Sequence, residues 1–486
     1  MKHNYPNWVI SHRKPGTELR HINGHYYLYA VSSYYDPVRK KGRKKTGVLL
    51  GKITEADGFV ASEERRLKKG TSQNVDLNKI AVRECGFTDF LEVYGKSIEH
   101  KLKECFPKHY KLIIYIAYAR FVHNSPINRM PLVIGKSMLS VGEKEQIYPQ
   151  KLSATLAEIG RDRSTCVAYM QSFIKSGEHM LIDMTNMFNG STTMYYTKEG
   201  YNSEMVFDTQ VNLMYIYSPS SRQPLFYKIL NGNSREVVGF KNTLLESGLK
   251  DAVIIADKGF YSKANIDLLE QNGLSYIIPL KRDSTLIDYA MLSETSNDYF
   301  KYEDRIIWTA EYEKDGFIVR LFKDDQLKTQ EQKDYLKRID AKTEGYTREK
   351  FNERLQRFGT FALLSNLKDT QPQQIYAKYK SRNAIEVMFD GVKTVLKADV
   401  SYMQKEETLN GWMFVNHVAL QWYYIIYALL VEHELLSKYS VSHFVTELKE
   451  HRKVFIGDKW VEEPLIKQTK KILTKLNIYS VKQSES

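Results

Sequence analysis

The sequence of 486 residues predicts an α/β protein of several domains, in which a mixed sheet forms the core. Two observations carry this prediction. Three successive apolar runs with strand-like character lie between residues 179 and 233, and from 234 to 283 strands alternate with helical segments. Such alternation is typical of a mixed sheet covered by helices. With 42% hydrophobic residues, the chain can bury a large core in two to four domains.

The N-terminal segment, residues 18–53, is predicted to be β-structure. Asn23 and Gly24 separate two strand-like runs, which is a strong hairpin signal, and residues 46–53 give a third strand. A very basic turn, residues 36–45, precedes the third strand and is either a solvated loop or a clamp for phosphate groups. Its basic residues are Arg39, Lys40, Lys41, Arg43, Lys44 and Lys45.

The remaining elements follow from the spacing of apolar residues. A hairpin around Asp315 and Gly316 and a charged helix mark an insertion that divides the core. The predicted core strands are 179–188, 208–218, 223–233, 251–259, 274–282 and 358–366, and the helices between them are 234–248 and 262–273. The expected domains are 1–75 (basic β-hairpin region), 76–176 (helical), 177–283 (core, first part), 284–357 (insertion), 358–435 (core, last part) and 436–486 (helical tail).

Charge and motif content restrict the classes of function. Lys and Arg exceed Asp and Glu by 71 to 58, a formal charge of +13, which favours a polyanionic partner, nucleic acid first. A mildly basic enzyme without such a partner is the alternative. The chain has no Walker A pattern, no G-x-G-x-x-G and no H-E-x-x-H. The apolar run 412–431 is interrupted by polar residues, so it predicts a buried helix rather than a membrane span.

The three cysteines, Cys85, Cys105 and Cys166, are scattered and form no C-x-x-C pair. This pattern predicts neither a disulfide framework nor a zinc site. It favours a reducing compartment, and we therefore expect a cytoplasmic protein.

Two aspartates occupy positions where a carboxylate is unfavourable without a partner. Asp183 lies within the apolar strand LIDMT, and Asp257 closes the strand VIIAD. A buried acidic group needs an ion pair, hydrogen bonds or a metal ion, and ligands often bind at the carboxyl ends of strands. The alternative is that each aspartate caps the turn or helix that follows it.

The segment YKSRNAIEVMFDGVK, residues 379–393, predicts one helix with a polar face. Tyr379, Arg382, Glu386 and Lys393 fall within a narrow arc of that helix. A surface ion pair between Arg382 and Glu386 would explain two of them. Together with the two aspartates, Glu386 could instead hold two Mg²⁺ (or Mn²⁺) ions for phosphodiester chemistry. Arg382 and Lys393 would then bind phosphate, and Tyr379 would contact phosphate or a base.

The pattern Tyr379-x2-Arg382-x3-Glu386-x6-Lys393 resembles the Y-x2-R-x3-E-x6-K signature of cut-and-paste insertion-sequence transposases of the DDE type. The segments around Asp183 and Asp257 look like those that carry the first two catalytic aspartates of that family. The resemblance implies a ribonuclease H-like core with a mainly β insertion. It also implies that Asp183, Asp257 and Glu386 ligate the metal ions, and that Tyr379, Arg382 and Lys393 contact phosphates.

A member of this family would bind the terminal inverted repeats of its element, cleave phosphodiester bonds and join the 3′-hydroxyl ends to target DNA, as a homodimer when bound to double-stranded DNA. Some relatives place a Trp after the motif Arg to hold a flipped base, where this chain has Asn383. Trp308 is a candidate substitute, with core packing as its alternative role. Two other functions stay open: a metal-dependent nuclease without strand transfer, and a catalytically inactive DNA-binding derivative.

Overall fold

The computed structural model describes residues 5–36, 41–62, 80–201, 207–292, 298–391, 393 and 400–479. The chain divides into two compact units. The first comprises Met1–Ala81 with Val454–Val461, and the second comprises Val82–Lys453 with Glu462–Ser486.

The first unit contains a four-stranded antiparallel sheet in the order β1-β2-β3-β4. Asn23 and Gly24 both have positive φ angles, as a tight hairpin turn requires, and this confirms the predicted hairpin. Its elements are α1 (Asn7–Ile10), β1 (Thr17–Ile22), β2 (His25–Asp36), β3 (Lys41–Thr54) and β4 (Gly58–Ala61).

The predicted basic turn is shorter than expected, because β3 begins at Lys41. The ladder continues to the pair Asp36 and Lys41, so Lys41, Arg43, Lys44 and Lys45 lie on the strand and pair with β2. Extended pairing supplies hydrogen bonds to backbone groups that an open loop would leave to water. Arg39 and Lys40 lie outside the described residues.

The second unit is built around an eleven-stranded mixed sheet, which confirms the predicted fold class. Its order is β12-β13-β14-β15-β11-β10-β6-β8-β7, with β9 paired to β8 and β16 to β6. The strands are β6 (His179–Asn189), β7 (Lys198–Tyr201), β8 (Phe207–Ser218), β9 (Gln223–Asn231), β10 (Val253–Ile255), β11 (Ser275–Pro279), β12 (Asp298–Tyr302), β13 (Arg305–Lys314), β14 (Phe317–Asp324), β15 (Thr360–Ser365) and β16 (Val400–Ser401); β5 (Ala81–Glu84) precedes them in the chain.

Strand β6 is central to this sheet. It pairs in parallel with β10 and antiparallel with β8, and β10 in turn pairs in parallel with β11. The order β9-β8-β6-β10-β11 is that of the ribonuclease H-like core. The insertion continues the same sheet, because β14 pairs along β15 and brings β12 and β13 with it.

Helices make up much of the rest of this unit. They are α2 (Gly86–Phe90), α3 (Lys96–Cys105), α4 (Tyr110–His123), α5 (Met130–Ile134), α6 (Pro149–Arg161), α7 (Arg163–Gln171), α8 (Glu236–Ser247), α9 (Lys263–Gln271), α10 (Asp325–Asp340), α11 (Arg348–Glu353), α12 (Pro372–Lys380), α13 (Asn383–Asp390), α14 (Glu406–Glu432), α15 (Val441–Lys449) and α16 (Lys467–Lys475). Some of them, including α7, α8 and α14, contact the sheet.

Helix α14 is the one helix of the described ranges that is long and apolar enough to cross a membrane. Its most apolar window is 72% buried inside the protein, which agrees with the predicted core helix. The polar residues that interrupt the run, Asn416, His417 and Gln421, are themselves buried.

Two expectations about helices are wrong. The C-terminal tail is not wholly helical, because a hairpin of β17 (Arg452–Ile456) and β18 (Lys459–Glu462) lies between α15 and α16, with Gly457 at a φ of 66° in its turn. Residues 379–393 do not form one helix, because α12 ends at Lys380 and α13 begins at Asn383. The Ser381 hydroxyl donates to the Lys378 carbonyl oxygen at 2.6 Å, and side-chain bonds of this kind compete with helix continuation.

Helices α6 and α14 approach so closely that two glycines are required at the crossing. A Cβ atom on Gly160 would lie 1.8 Å from the Glu407 carbonyl oxygen, and one on Gly411 would lie 1.9 Å from that of Leu156. Such backbone contact is possible only where neither helix carries a side chain. The pair fixes α14 against the preceding helical layer.

We expect Gly411→Ala to destabilise the protein. Alanine is normally preferred in a helix interior by about 1 kcal/mol, but overpacking should reverse this and lower the free energy of unfolding by about 1–3 kcal/mol. Urea denaturation measures the change. Gly190→Ala is the control, since a Cβ there meets nothing within 4 Å. Equal stability of Gly411→Ala and the unchanged chain would contradict the prediction.

Candidate active site

The register of the central strands brings the two predicted aspartates together. In the parallel pair of β6 and β10, Ile255 lies opposite Leu181. Continuing this register by two residues places Asp257, just past the end of β10, beside Asp183. The carboxyl end of β10 therefore presents Asp257 next to a carboxylate within the neighbouring strand.

Arg382 joins the third predicted carboxylate to this pair. Its Nη2 lies 2.6 Å from Glu386 Oε1 and its Nη1 lies 3.6 Å from Asp183 Oδ2. Burial acts to lower the pKa of Arg382, while the charge of Asp257, followed by those of Glu386 and Asp183, raises it above its usual value. One guanidinium group thus lies among all three carboxylates.

Asp183 has a strongly perturbed pKa. Burial, which is the main cause, and the charges of Asp257 and Glu236 together raise the pKa of Asp183 to about 7. The Met184 backbone N–H, which donates to Asp183 Oδ1 at 2.8 Å, and the charge of Arg382 act in the opposite direction. A cation bound beside Asp183 would favour its ionised form at neutral pH.

A fourth acidic residue, Glu236, lies beside the three and was not predicted from the sequence. Burial raises its pKa, and Asp257 adds to the effect. Its carboxylate fills the space above Gly259, where a Cβ would lie 1.7 Å from Glu236 Oε2. The sequence contained a signal for Glu236, since this residue follows a buried strand closely, as Asp257 does.

The break between α12 and α13 positions the other residues of the signature. Tyr379 lies in the last turn of α12, where its ring is 5.8 Å from that of Phe361. Burial raises the pKa of Tyr379, and the nearby Arg382 lowers it. Arg382 precedes α13, which carries Glu386, and the Arg382 carbonyl oxygen accepts from the Ile385 N–H at 3.0 Å. The tight turn keeps Tyr379, Arg382 and Glu386 near one another although the helix is interrupted.

A cavity of about 620 Å³ opens beside this cluster. Both Glu236 and Glu386 line it, together with Asp390 and Lys393. Lys393 therefore lies on the same cavity as Glu386, whereas Asp183 and Asp257 do not line it. The cavity offers room for a bound polyanion next to the acidic groups.

Other candidates lie elsewhere or are already paired. Trp308 lies half-buried on β13. Its indole N–H donates to Asp325 Oδ2 at 2.9 Å, and its ring lies 5.5 Å from that of Tyr299. Asn383 is the first residue of α13. In the first unit, Arg43 lies 3.6 Å from Asp36 and Lys44 lies 3.5 Å from Glu18.

The donor chemistry of the three carboxylates suits hard divalent cations, because Mg²⁺ and Mn²⁺ prefer carboxylate oxygens. In the structure, the Arg382 guanidinium supplies positive charge between Asp183 and Glu386. The ligand oxygens of Asp183, Asp257 and Glu386 are not all within 4.8 Å of one another. Ligation of shared ions would therefore require these side chains to move closer together.

Comparison with known proteins gives three findings. Residues 175–422 match the family model described as the transposase DDE domain, which covers about half of the chain and includes Asp183, Asp257 and Glu386. No curated protein sequence matches the chain. Among solved structures, the chain is similar to a cryo-EM structure of the piggyBac transposase synaptic complex with hairpin DNA. The two share 10% identity over 70% of each chain, with a TM-score of 0.38.

The raised pKa of Asp183 predicts that the contribution of this carboxyl group to the stability of the metal-free protein falls as the pH rises from about 4 to about 7. In this range the folded state keeps a proton that the unfolded chain releases, so the stabilisation present below pH 4 is lost as the pH passes the folded-state pKa. Asp183→Asn removes this ionisation. We expect it to be more stable than the unchanged protein by about 2–4 kcal/mol at pH 8 and about equally stable at pH 4.

Urea denaturation in the presence of a chelator measures both differences. Asp298→Asn is the control, because this aspartate is exposed on β12. A difference between Asp183→Asn and the unchanged chain that does not vary with pH would refute the linkage.

Proposed function

The chain belongs to the transposase DDE domain family, and from this premise we propose that it binds the ends of a DNA element, cleaves them with divalent metal ions and joins the 3′-hydroxyl ends to target DNA. The observation that carries the proposal is the position of Asp183, Asp257 and Glu386 around the one guanidinium group of Arg382. Acidic residues held together at the end of a buried strand are unfavourable unless cations bind there.

In this proposal Asp183, Asp257 and Glu386 ligate two Mg²⁺ or Mn²⁺ ions. The chemistry such ions supply when bound is activation of the attacking oxygen and stabilisation of the leaving oxygen at phosphorus. Cleavage and joining are both in-line displacements, so one set of ligands serves both steps. Glu236 would add negative charge behind Asp257 and limit how far that side chain can turn.

Arg382 has a second role in the proposal. Without metal ions, its guanidinium neutralises Asp183 and Glu386. When cations take over that neutralisation, the planar fork of Arg382 is free to bind a phosphate through two parallel hydrogen bonds. Lys393 on the cavity wall would bind phosphate as a point charge, and Tyr379 would hydrogen-bond to the same backbone.

The proposed partners are the terminal inverted repeats and the target duplex, and the proposed location is the cytoplasm. Joining two ends to one target implies that two chains act together, so we propose a homodimer in the DNA-bound state. The formal charge of +13 supports binding to duplex DNA. It favours association with phosphate in general, while the DNA ends would have to be selected by specific contacts.

The central test replaces Asp183, Asp257 and Glu386 with Ala one at a time. Each variant should lose cleavage and joining by at least about 10²-fold, a loss that even outer-shell changes at metal sites produce. Binding to the ends in gel shifts should persist. Asp298→Ala, which removes an exposed carboxylate from the same sheet, should retain full activity. An active variant at any of the three positions would remove that residue from the site.

A strand-transfer assay with pre-cleaved ends separates the proposal from its alternatives. A transposase joins the supplied 3′-hydroxyl ends to a target, whereas a nuclease of the same fold cuts DNA and does not join it. A protein that binds ends but does neither, with all three carboxylates intact, is an inactive derivative.

The basic segment of the first unit is proposed to grip DNA without reading its sequence. Changing Arg39, Lys40, Lys41, Arg43, Lys44 and Lys45 to Gln should reduce the salt slope of log K by about 0.9 for each phosphate group that the variant no longer neutralises. The reduction should be equal on specific and random duplexes. A matched control exchanges Arg and Lys at the same six positions and should keep the slope. An unchanged slope in the Gln variant would indicate a solvated segment.

A further inference from the structure

A second group of potential metal ligands lies in the same unit, on residues that the transposase chemistry does not use. Cys85 immediately precedes α2, Asp89 lies four residues later within it, and His451 follows α15. The ligand atoms of these three side chains all lie within 4.8 Å of one another. The cluster joins segments that are 366 residues apart in sequence.

The backbone holds the two segments together with little freedom. The N–H groups of Cys85 and Gly86 donate to the His451 carbonyl oxygen at 2.9 and 3.1 Å. Gly86 permits this contact, since a Cβ there would lie 2.2 Å from the Leu448 carbonyl oxygen. The three side chains are therefore preorganised.

The imidazole of His451 is the feature that points to a ligand. Its side chain is 1% exposed, and within the described part of the chain neither ring nitrogen has a hydrogen-bond partner. Its Nδ1 faces Asp89 Oδ2 at 3.3 Å without hydrogen-bond geometry. Leaving a buried polar group unsatisfied is unfavourable, so the orientation calls for a partner that accepts a nitrogen lone pair.

The contacts of Asp89 and Cys85 with neighbouring groups leave one Asp89 oxygen and the Cys85 sulfur directed towards His451. The ammonium of Lys453 lies 3.8 Å from Asp89 Oδ1, so it engages the oxygen that does not face His451. The Cys85 thiol donates to the His451 carbonyl oxygen at 3.4 Å and is fully buried. Its sulfur is the soft donor of the group, in contrast to the all-oxygen set at Asp183.

We propose that Cys85, Asp89 and His451 bind a zinc-type transition-metal ion that joins the start of the helical region to the segment after α15. Thiolate sulfur, imidazole nitrogen and carboxylate oxygen are the donors that Zn²⁺ takes in tetrahedral sites, whereas Mg²⁺ prefers oxygen alone. Binding requires the thiol to release its proton to solvent, and the carboxylate and neutral imidazole bind as they are.

The three groups lie in the field of Glu462, the exposed last residue of β18. Burial is the main cause that raises the pKa of Cys85 and lowers that of His451, and the charge of Glu462 contributes an increase to both. Three protein ligands leave the fourth position of a tetrahedral site for a water molecule.

The test uses Co²⁺ as a spectroscopic substitute for Zn²⁺ on the full-length chain, after treatment with chelator. A Co²⁺–thiolate bond gives a charge-transfer absorption band in the near ultraviolet, which the carboxylates at Asp183 cannot produce. We expect one such band per chain, displaced by one equivalent of Zn²⁺. Cys85→Ser and His451→Gln should abolish it, while Cys105→Ser and Cys166→Ser should keep it.

Each outcome is decisive, because the chain has three cysteines. Absence of the band in the unchanged chain, or its persistence in Cys85→Ser, would overturn the proposal. If Cys85→Ser and His451→Gln do not fold, retention of the band in the other two serine variants assigns the thiolate to Cys85 by elimination. Asp183→Asn should keep the band, which separates this site from the proposed catalytic one.

Discussion

The burial of Asp183 beside other carboxylates is the constraint on which the site depends. Asp183 lies within the central strand, and burial together with the charge of Asp257 makes its ionised form unfavourable. Arg382 offsets this repulsion by lying between Asp183 and Glu386. A protein that only needed a stable core would place apolar residues here, as replacement of buried ion pairs usually shows. An acidic group within the central strand is unfavourable for stability alone, and the proposed cation site would give it a function.

Three separate features of the fold place the acidic groups and Arg382 around Asp183. The parallel register of β6 and β10 aligns two aspartates. The tight turn after α12 brings the guanidinium of Arg382 and the carboxylate of Glu386 close to Asp183. The absence of a side chain at Gly259 leaves room for a fourth carboxylate, that of Glu236. Each device is local, but all depend on the sheet holding its strands in one register. The two proposed ion sites of the same unit differ in donor type, so their ions would not compete strongly.

The sequence was sufficient where a local pattern determines the structure. Turn residues predict the hairpins at Asn23-Gly24 and Asp315-Gly316, and the spacing of apolar residues predicts the core strands. Strand β10 is shorter than expected because its pairing ends at Ile255. Strand β7, with the sequence KEGY, has no apolar pattern and forms because β8 offers it an edge. The break at Ser381 is accompanied by a side-chain hydrogen bond that apolar spacing does not reveal. The contact of Cys85 with His451 joins distant segments, and no spacing rule within one segment could reveal it.

Strand β15 has a consequence for how the molecule bears force. The insertion is attached to the core along the ladder between β14 and β15, and Phe361 of β15 lies against Tyr379 just before the arginine turn. A force on the insertion would therefore load this ladder, with several hydrogen bonds sharing the load. Phe361 also packs against Tyr376 of α12, so two ring contacts connect β15 to that helix. The position of the insertion and that of Tyr379 are mechanically coupled through a strand of six residues.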